Sequence, residues 1–332
     1  MLVKPGFIAV VLLQTKFPLR PEAASTISGD VDRLFYVLTG ITLFFSIGVF
    51  ATIFYFMLKY RRRSEDEMPP PTQQSMVAEV IWIVIPSLIC IFLFFWASRL
   101  YFREAEPPQG STEIFVVGKQ WMWHLQHGSG QREIDSLHIP VGTPVKLTMT
   151  SQDVIHDFFV PAFRVKMDVL PGRYTSEWFE VNKAGAYHLF CAQYCGTLHS
   201  GMTGWIYALE PSEYAQWLRE NSSGESMAQT GAQLFTEFGC GSCHVSDGTG
   251  SGPSLQGAFG QPVPLENGET HVMDEDFIHQ AIVNPSSLHL PNYRPIMPTF
   301  QGQLNEEQIL QLIAFVKSLG QESDPARKAD TR

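Results

Sequence analysis

Leu34 to Leu58 runs for 25 residues without a charged side chain, and Val80 to Ser98 for another 19. A helix needs about 20 apolar residues to cross the hydrocarbon core of a bilayer. Both runs are long enough, the second narrowly, so the chain is expected to place a hairpin of two helices in lipid over residues 31–105. Pro86 lies inside the second run. In a membrane it is tolerated, because neighbouring groups satisfy the backbone carbonyl that proline leaves unpaired. Charged residues are only 17% of the 332, well below the roughly 25% of a soluble chain, which fits the same reading.

Lys59-Tyr60-Arg61-Arg62-Arg63 joins the two runs. Basic residues of short loops stay on the cytoplasmic side. Both termini, and the long part after residue 105, are then periplasmic or exterior. Residues 1–30 read either as an exterior tail or as a signal segment. Phe7 to Leu13 is apolar after Lys4, and Ala23-Ala24-Ser25 offers small residues for cleavage.

The exterior part changes character along its length. Residues 106–212 carry short runs with β-branched or alternating residues: Glu113–Val117, Val145–Thr150, Ser176–Val181, Tyr187–Phe190 and Gly204–Leu209. Turns such as Val141-Gly142-Thr143-Pro144 separate them, the pattern of an all-β sandwich or barrel. Residues 213–228, with Asn221-Ser222-Ser223-Gly224 at their centre, read as a linker. Residues 229–322 turn helical, with helices expected over Ala232–Phe238 and Glu306–Leu319, and 323–332 form a polar tail. In the second helix Ile309, Leu312, Ile313, Val316 and Leu319 share a face. Asn305 and Gln308 before it resemble a capping box. The net charge is −10, with 5 basic and 12 acidic residues after position 225. Nucleic-acid binders neutralise phosphates with a basic face, so nucleic acid is excluded as a partner.

Four of the five cysteines fall in two clusters. Cys240-Gly-Ser-Cys243-His244 is a C-x-x-C-H run: two thiols spaced to form thioethers to a haem, and a histidine placed to bind its iron. A redox C-x-x-C is the plainer alternative. Met297, in Arg294-Pro-Ile-Met297-Pro298 just before the last helix, is the expected second axial ligand, with Met273 as its rival. Here the module resembles a class I cytochrome c, whose distal methionine precedes a C-terminal helix. His271, His279 and His289 read as surface residues.

The other cluster, Cys191-Ala-Gln193-Tyr-Cys195-Gly-Thr-Leu-His199-Ser-Gly-Met202, packs two thiols, an imidazole and a thioether into twelve residues. Soft sulfur with imidazole selects copper or zinc. A structural zinc site has little use for the methionine, and a disulfide needs neither His199 nor Met202. Two cysteines spaced to bridge suggest two copper ions sharing both sulfurs, with His156 as the second imidazole. His124, His127, His138 and His188 read as structural.

Residues 30–212 resemble subunit II of a cytochrome c oxidase. Three further stretches carry the likeness: Gly118-Lys-Gln120-Trp121-Met122-Trp123, Glu79-Val-Ile-Trp82-Ile-Val-Ile-Pro86 and Asp153-Val-Ile-His156. With the fused haem module, the chain looks like subunit II of a caa-type bacterial oxidase. The resemblance implies a multidomain membrane protein: a transmembrane hairpin, an all-β cupredoxin-like sandwich and an all-α class I cytochrome c domain. It implies a dinuclear copper centre (CuA) held by His156, Cys191, Cys195, His199, Met202 and the carbonyl of Gln193. Covalent haem c would sit on Cys240, Cys243, His244 and Met297. Trp121 would be the point where electrons enter the copper domain, and Glu79 would lie at the mouth of a proton path into subunit I. Partners would be subunit I, the other oxidase subunits, an external donor such as a cytochrome c, and membrane lipid. Most of the family has Glu where Gln193 stands, and that carboxylate reaches a magnesium ion, so magnesium binding is in doubt here. A membrane-anchored copper chaperone, a quinol oxidase subunit and a nitrous oxide reductase-like domain are rivals. The copper ligand spacing, the haem motif and the two-span anchor argue against them.

Overall fold

The computed structural model describes residues 21–68, 74–221 and 224–321, and they form two units. Thr26–Pro107 is one; the other comprises the chain from Pro108 onward together with residues 21–25.

The first unit is a pair of long helices, α1 (Ser28–Lys59) and α2 (Met76–Ala105). Both outrun the uncharged stretches, α1 by Ser28–Arg33 and Lys59, and α2 by Met76–Glu79 and Arg99–Ala105. Ser75 caps α2, its hydroxyl accepting from the Ala78 amide at 3.3 Å. Asp30 near the start of α1 takes an ion pair from Arg103 near the end of α2, which ties those two ends together. The apolar side chains find no core: Phe44 and Phe50 are 72% and 73% exposed, and no residue of either apolar window is buried. A soluble core helix would be covered, so these helices are built for lipid.

The second unit opens with ten strands: β1 (Thr112–Lys119), β2 (Met122–His127), β3 (Arg132–Ile134), β4 (Ser136–Pro140), β5 (Pro144–Ser151), β6 (His156–Val160), β7 (Val165–Val169), β8 (Thr175–Glu180), β9 (Gly185–Cys191) and β10 (Thr203–Leu209). They make two five-stranded sheets, ordered β3-β2-β1-β5-β8 and β4-β10-β9-β6-β7. Parallel pairs β1–β5 and β4–β10 show the chain crossing between sheets rather than meandering. Trp123, Phe158, Phe163, Phe179 and Leu189 fill the space between them. Residues 21–25, expected within a tail, join this sandwich: the Ala24 amide donates to Ala162, the Asn182 amide to Ala24, and Ser25 Oγ to the Phe163 carbonyl. Residues 1–20 of the expected tail or signal, and the polar tail 323–332, lie outside the described residues.

The stretch 213–228 is not all linker. Helix α3 (Pro211–Glu220) occupies its first half. Proline at its start and reciprocal capping between Glu210 and Glu213 begin it. Trp217 stacks on His138 at 4.6 Å between ring centres, and the Tyr214 hydroxyl lies 3.2 Å from His127 Nδ1. These contacts fold the helix back onto the sandwich.

Among the described residues the C-terminal domain has three α-helices, α4 (Met227–Glu237), α5 (Glu275–Val283) and α6 (Glu306–Gln321), and a short antiparallel ribbon of β11 (Pro262–Pro264) and β12 (Thr270–Val272). The Asn305–Gln308 box closes as expected: each backbone amide donates to the other side chain, at 3.0 and 2.9 Å. Ile309, Leu312, Ile313 and Val316 are buried. Leu310 is buried too, outside the expected face, because α6 is covered on a second side.

Candidate metal centre and haem cavity

Strand β9 ends at Cys191 and β10 begins at Thr203, and the loop between them carries the cysteine cluster. β6 begins with His156 beside it. Cys191, Cys195, His156 and Met202 are buried and His199 is half-buried. The two thiol sulfurs lie 3.8 Å apart and both cysteines are free. A disulfide would need about 2.05 Å. His156 Nδ1 lies 4.0 Å from Cys191 Sγ, and His199 Nδ1 3.5 Å from Cys195 Sγ. Met202 Sδ is 3.8 Å from Cys195 Sγ, and the Gln193 carbonyl 3.2 Å from Cys191 Sγ. The structure thus gathers all six donor groups named from the sequence around one sulfur pair. His156, Cys191 and Cys195 alone place their donor atoms within 4.8 Å of one another. This soft, anion-forming set suits copper. Burial opposes ionisation of the Cys191 thiol, but hydrogen bonds with His156, the Asp157 and Gln193 backbone and His199 together outweigh that and the pKa falls. Burial and then the charge on Cys191 push Cys195 up. One thiolate forms readily; the second needs a cation to displace its proton.

Asp153 has a role that the sequence reading did not give it. Its Oδ1 lies 2.8 Å from His156 Nε2, and its Oδ2 accepts from the Gln120 amide at 2.7 Å. The carboxylate accepts the Nε2–H hydrogen bond and leaves Nδ1 as the lone-pair nitrogen facing Cys191, a common arrangement behind metal-bound histidine. Its position three residues ahead of His156 was the available signal. Trp121 Nε1 and Gln120 Nε2 both donate to the Cys195 carbonyl, at 3.2 and 2.8 Å. Gly118 makes room: a Cβ there would stand 2.9 Å from the His156 ring. Glu79 is in the other unit, in the first turn of α2.

The second site is a cavity of about 460 Å3 in the C-terminal domain, within the size range of cofactor pockets. Cys240, Cys243 and His244 lie on its wall, with Leu312 and Val316 from α6. The His244 Nδ1–H donates to the Pro253 carbonyl at 2.8 Å, so Nε2 is the nitrogen left for a metal. Gly252 allows this approach, since a Cβ there would lie 2.9 Å from the His244 ring. Met273 and Met297 both line the cavity. Met273 is anchored by the backbone bonds of the β12 end, to Gln261 and from Gly260, whereas Met297 sits in the loop between prolines that leads to α6. Two free thiols, a tethered imidazole and an apolar cavity fit a covalently attached haem. His289 lines the cavity from an exposed position, and His271 is exposed. His279, expected on the surface, is buried: its ring meets Tyr174 edge-on, and its Nε2 lies 3.2 Å from Glu306 Oε1. The sandwich covers it, which no local pattern reveals.

Comparison with known proteins agrees with this architecture. Residues 14–100 match the transmembrane domain of cytochrome c oxidase subunit II, 125–208 its periplasmic domain, and 228–320 cytochrome c. Cytochrome c oxidase subunit 2 of Alkalihalophilus pseudofirmus is 32% identical over 293 residues, covering 82% of each chain. The chain belongs to the cytochrome c oxidase subunit II family. The Synechocystis subunit 2 is 28% identical over 263 residues, 64% of this chain and 79% of the relative. The solved periplasmic domain of subunit II from Bradyrhizobium japonicum is 28% identical, covers 35% of this chain and 96% of that one, and gives a TM-score of 0.34. Membership in this oxidase family makes the chain a membrane protein with a cupredoxin-like sandwich and a cytochrome c domain. It implies copper in the sandwich, haem c in the C-terminal domain, and other oxidase subunits as partners.

Proposed function

We propose that the chain is the electron-input subunit of a respiratory haem–copper oxygen reductase in a bacterial cell membrane. Electrons would pass from an external donor through its own haem c to a dinuclear CuA centre, and on to subunit I, where oxygen is reduced to water. The observation that carries this reading is the sulfur pair at 3.8 Å with one imidazole beside each sulfur. A mononuclear blue-copper site would use one thiolate, and a structural zinc site would have little use for Met202; two thiolates between two imidazoles would suit two copper ions sharing both sulfurs.

When bound, haem c and copper supply one-electron chemistry, and the protein's own groups hold and tune them. His156 and His199 each offer Nδ1, Met202 its thioether and Gln193 its carbonyl. Asp153 fixes the His156 tautomer. Trp121 is the point where electrons enter, because its indole N–H bonds the carbonyl of a copper-binding cysteine. His244 and Met297 would hold the haem iron, and Cys240 and Cys243 would anchor the haem through thioethers. Gln193 cannot supply the charged side chain that a magnesium ion at the subunit I interface would use. Glu79 marks the entrance of a proton path into subunit I, and any translocation of protons belongs to the whole complex. The acidic C-terminal domain favours a donor with a basic patch, such as a cytochrome c. The basic loop at Arg61–Arg63 supports a periplasmic position for the domains.

Metal analysis and electron paramagnetic resonance test the reading. The purified oxidase is expected to hold two copper ions per covalent haem in this subunit, with one unpaired electron shared between the coppers. Cys195→Ser should abolish that signal and leave haem c attached. A variant that keeps a mixed-valence signal, or a wild-type site with zinc or one copper, refutes the shared-thiolate assignment.

A further inference from the structure

The outer face of β1, β2 and β5 is not a solvent face. Alternation along β1 turns Ile114 and Val116 into the sandwich and Phe115 and Val117 outward, yet the latter two are 4% and 3% exposed. They belong to one apolar cluster with Ile278, Leu310 and Ile313 of the cytochrome domain. Charges frame this cluster. Lys317 on α6 puts Nζ 2.8 and 2.9 Å from the two carboxylate oxygens of Glu113 on β1, and 3.0 Å from Glu275 on α5. Lys146 on β5 approaches the same two carboxylates, at 3.4 and 3.8 Å. Thr148 donates to Glu113 at 2.8 Å. Positive and negative groups from both domains therefore alternate around the seam. The Lys317 ammonium also faces the rings of Phe115 and Phe259, at 5.9 and 5.1 Å from their centres. Burial disfavours charge on Lys317 and on Glu113, but each keeps the other ionised: Lys317 is shifted up and Glu113 down. Further along, Gln311 donates to Gln126 at 3.2 Å, His124 Nδ1 lies 2.8 Å from Glu307, and the Tyr174 amide donates to Asp276 at 2.6 Å.

The two parts of the seam do different work. Apolar burial drives the domains together, because covering Phe115 and Val117 removes hydrocarbon from water. The charges add little net attraction, since each loses hydration on docking. They fix the register, because a slipped docking would part Lys317 from Glu113 and leave each with one opposite charge in place of two, Lys317 with Glu275 and Glu113 with Lys146. The linker from Asn221 to Ser226 is short, so the domains meet at high effective concentration. Leu312 and Val316 turn to the haem cavity while Gln311 and Lys317 turn to the sheet, so α6 stands between the cavity and the sandwich.

We propose that Lys317 is a positioning residue that locks the cytochrome domain into one fixed seat on the outer face of β1, β2 and β5. Electrons then pass between haem c and copper inside a rigid body, not through swings of a tethered domain. The consequence for transfer rests on the electron route proposed above; the seat itself does not.

A zero-length carbodiimide, which joins an amine to a carboxylate in contact with it, tests the seat in the intact oxidase. Mass spectrometry should find Lys317 joined to Glu113. Electron transfer from haem c to copper should follow a single phase that added glycerol does not slow. Lys317→Glu should lose the cross-link and gain a slower, viscosity-dependent phase, with the haem and copper absorption bands unchanged. Adding Glu113→Lys to that variant should restore the single phase. A wild-type protein without the cross-link, and with viscosity-dependent transfer, overturns the proposal. Should the cross-link form while no electron passes from haem to copper, the seat stands and the proposed route fails.

Discussion

Two methionines face the haem cavity, and one substitution separates them. Met297 is held between Pro295 and Pro298 in the loop before α6. Met297→Ala is expected to convert the low-spin His/Met absorption and magnetic resonance signature to high spin, with haem still attached. An unchanged spectrum would transfer the ligand role to Met273. Glu133 offers a residue-scale test of stability. One buried carboxylate serves two histidines: its Oε1 lies 2.9 Å from His127 Nε2 and accepts from the His138 amide, and its Oε2 lies 2.5 Å from His138 Nδ1. Burial raises its pKa, but these hydrogen bonds outweigh that and bring it from the ordinary 4.5 down to about 2. A carboxyl depressed on folding stabilises the protein above its unfolded pKa. That contribution, about 3 kcal/mol, is lost as pH falls from about 4.5 towards 2. Chemical unfolding at stepped pH should show this loss in wild type, while Glu133→Gln starts weaker at neutral pH and changes less on acidification. Equal acid responses in both would mean that the carboxylate is not the group being titrated.

At the scale of elements, α3 and β1 carry most of what pattern reading missed. α3 has the signals of a helix start, a proline at its first position and Glu213 three residues after Glu210. Its apolar residues, Tyr214, Ala215, Trp217 and Leu218, span a single short stretch beside the polar run that follows. What decides the element is the ring stack: Trp217 on His138, and His138 in turn on Tyr207 at 4.8 Å. Trp217→Ala should destabilise the sandwich by about 2 kcal/mol, part of the usual cost of emptying an aromatic site. The expected result is a lower thermal midpoint by near-ultraviolet dichroism, with the haem band intact; an unaltered midpoint would reduce α3 to a passive connector. β1 is buried on both faces along Ile114–Val117. Its unbroken apolar run was a fair sign of two covered faces, but not of what covers the second.

For the whole molecule, orientation is the property most open to test. The basic loop at Arg61–Arg63 is the sequence cue for direction, and it is expected on the cytoplasmic side. Protease added to intact spheroplasts should release a haem-bearing fragment of the C-terminal part. Replacing the three arginines with neutral residues should make the inserted orientation mixed. Full protection of the wild-type haem domain would reverse the topology and remove access for an external donor.

The sequence by itself determined the two spans, the sandwich, the helical C-terminal domain and the candidate donor side chains. These follow from local causes: run length, alternation, and chemistry packed into short segments such as Cys191–Met202 and Cys240–His244. Tertiary structure alone decided which distant groups complete them. Asp153 meets His156 and the Trp121 turn because β6 starts where the β1–β2 hairpin ends, and Gly118 must be bare for that to fit. His279 is buried, Leu310 is covered, and Lys317 finds Glu113 across 204 residues of chain, because one domain is seated on another. Such contacts depend on how finished surfaces meet, and a surface has no period along the chain from which its partner could be read.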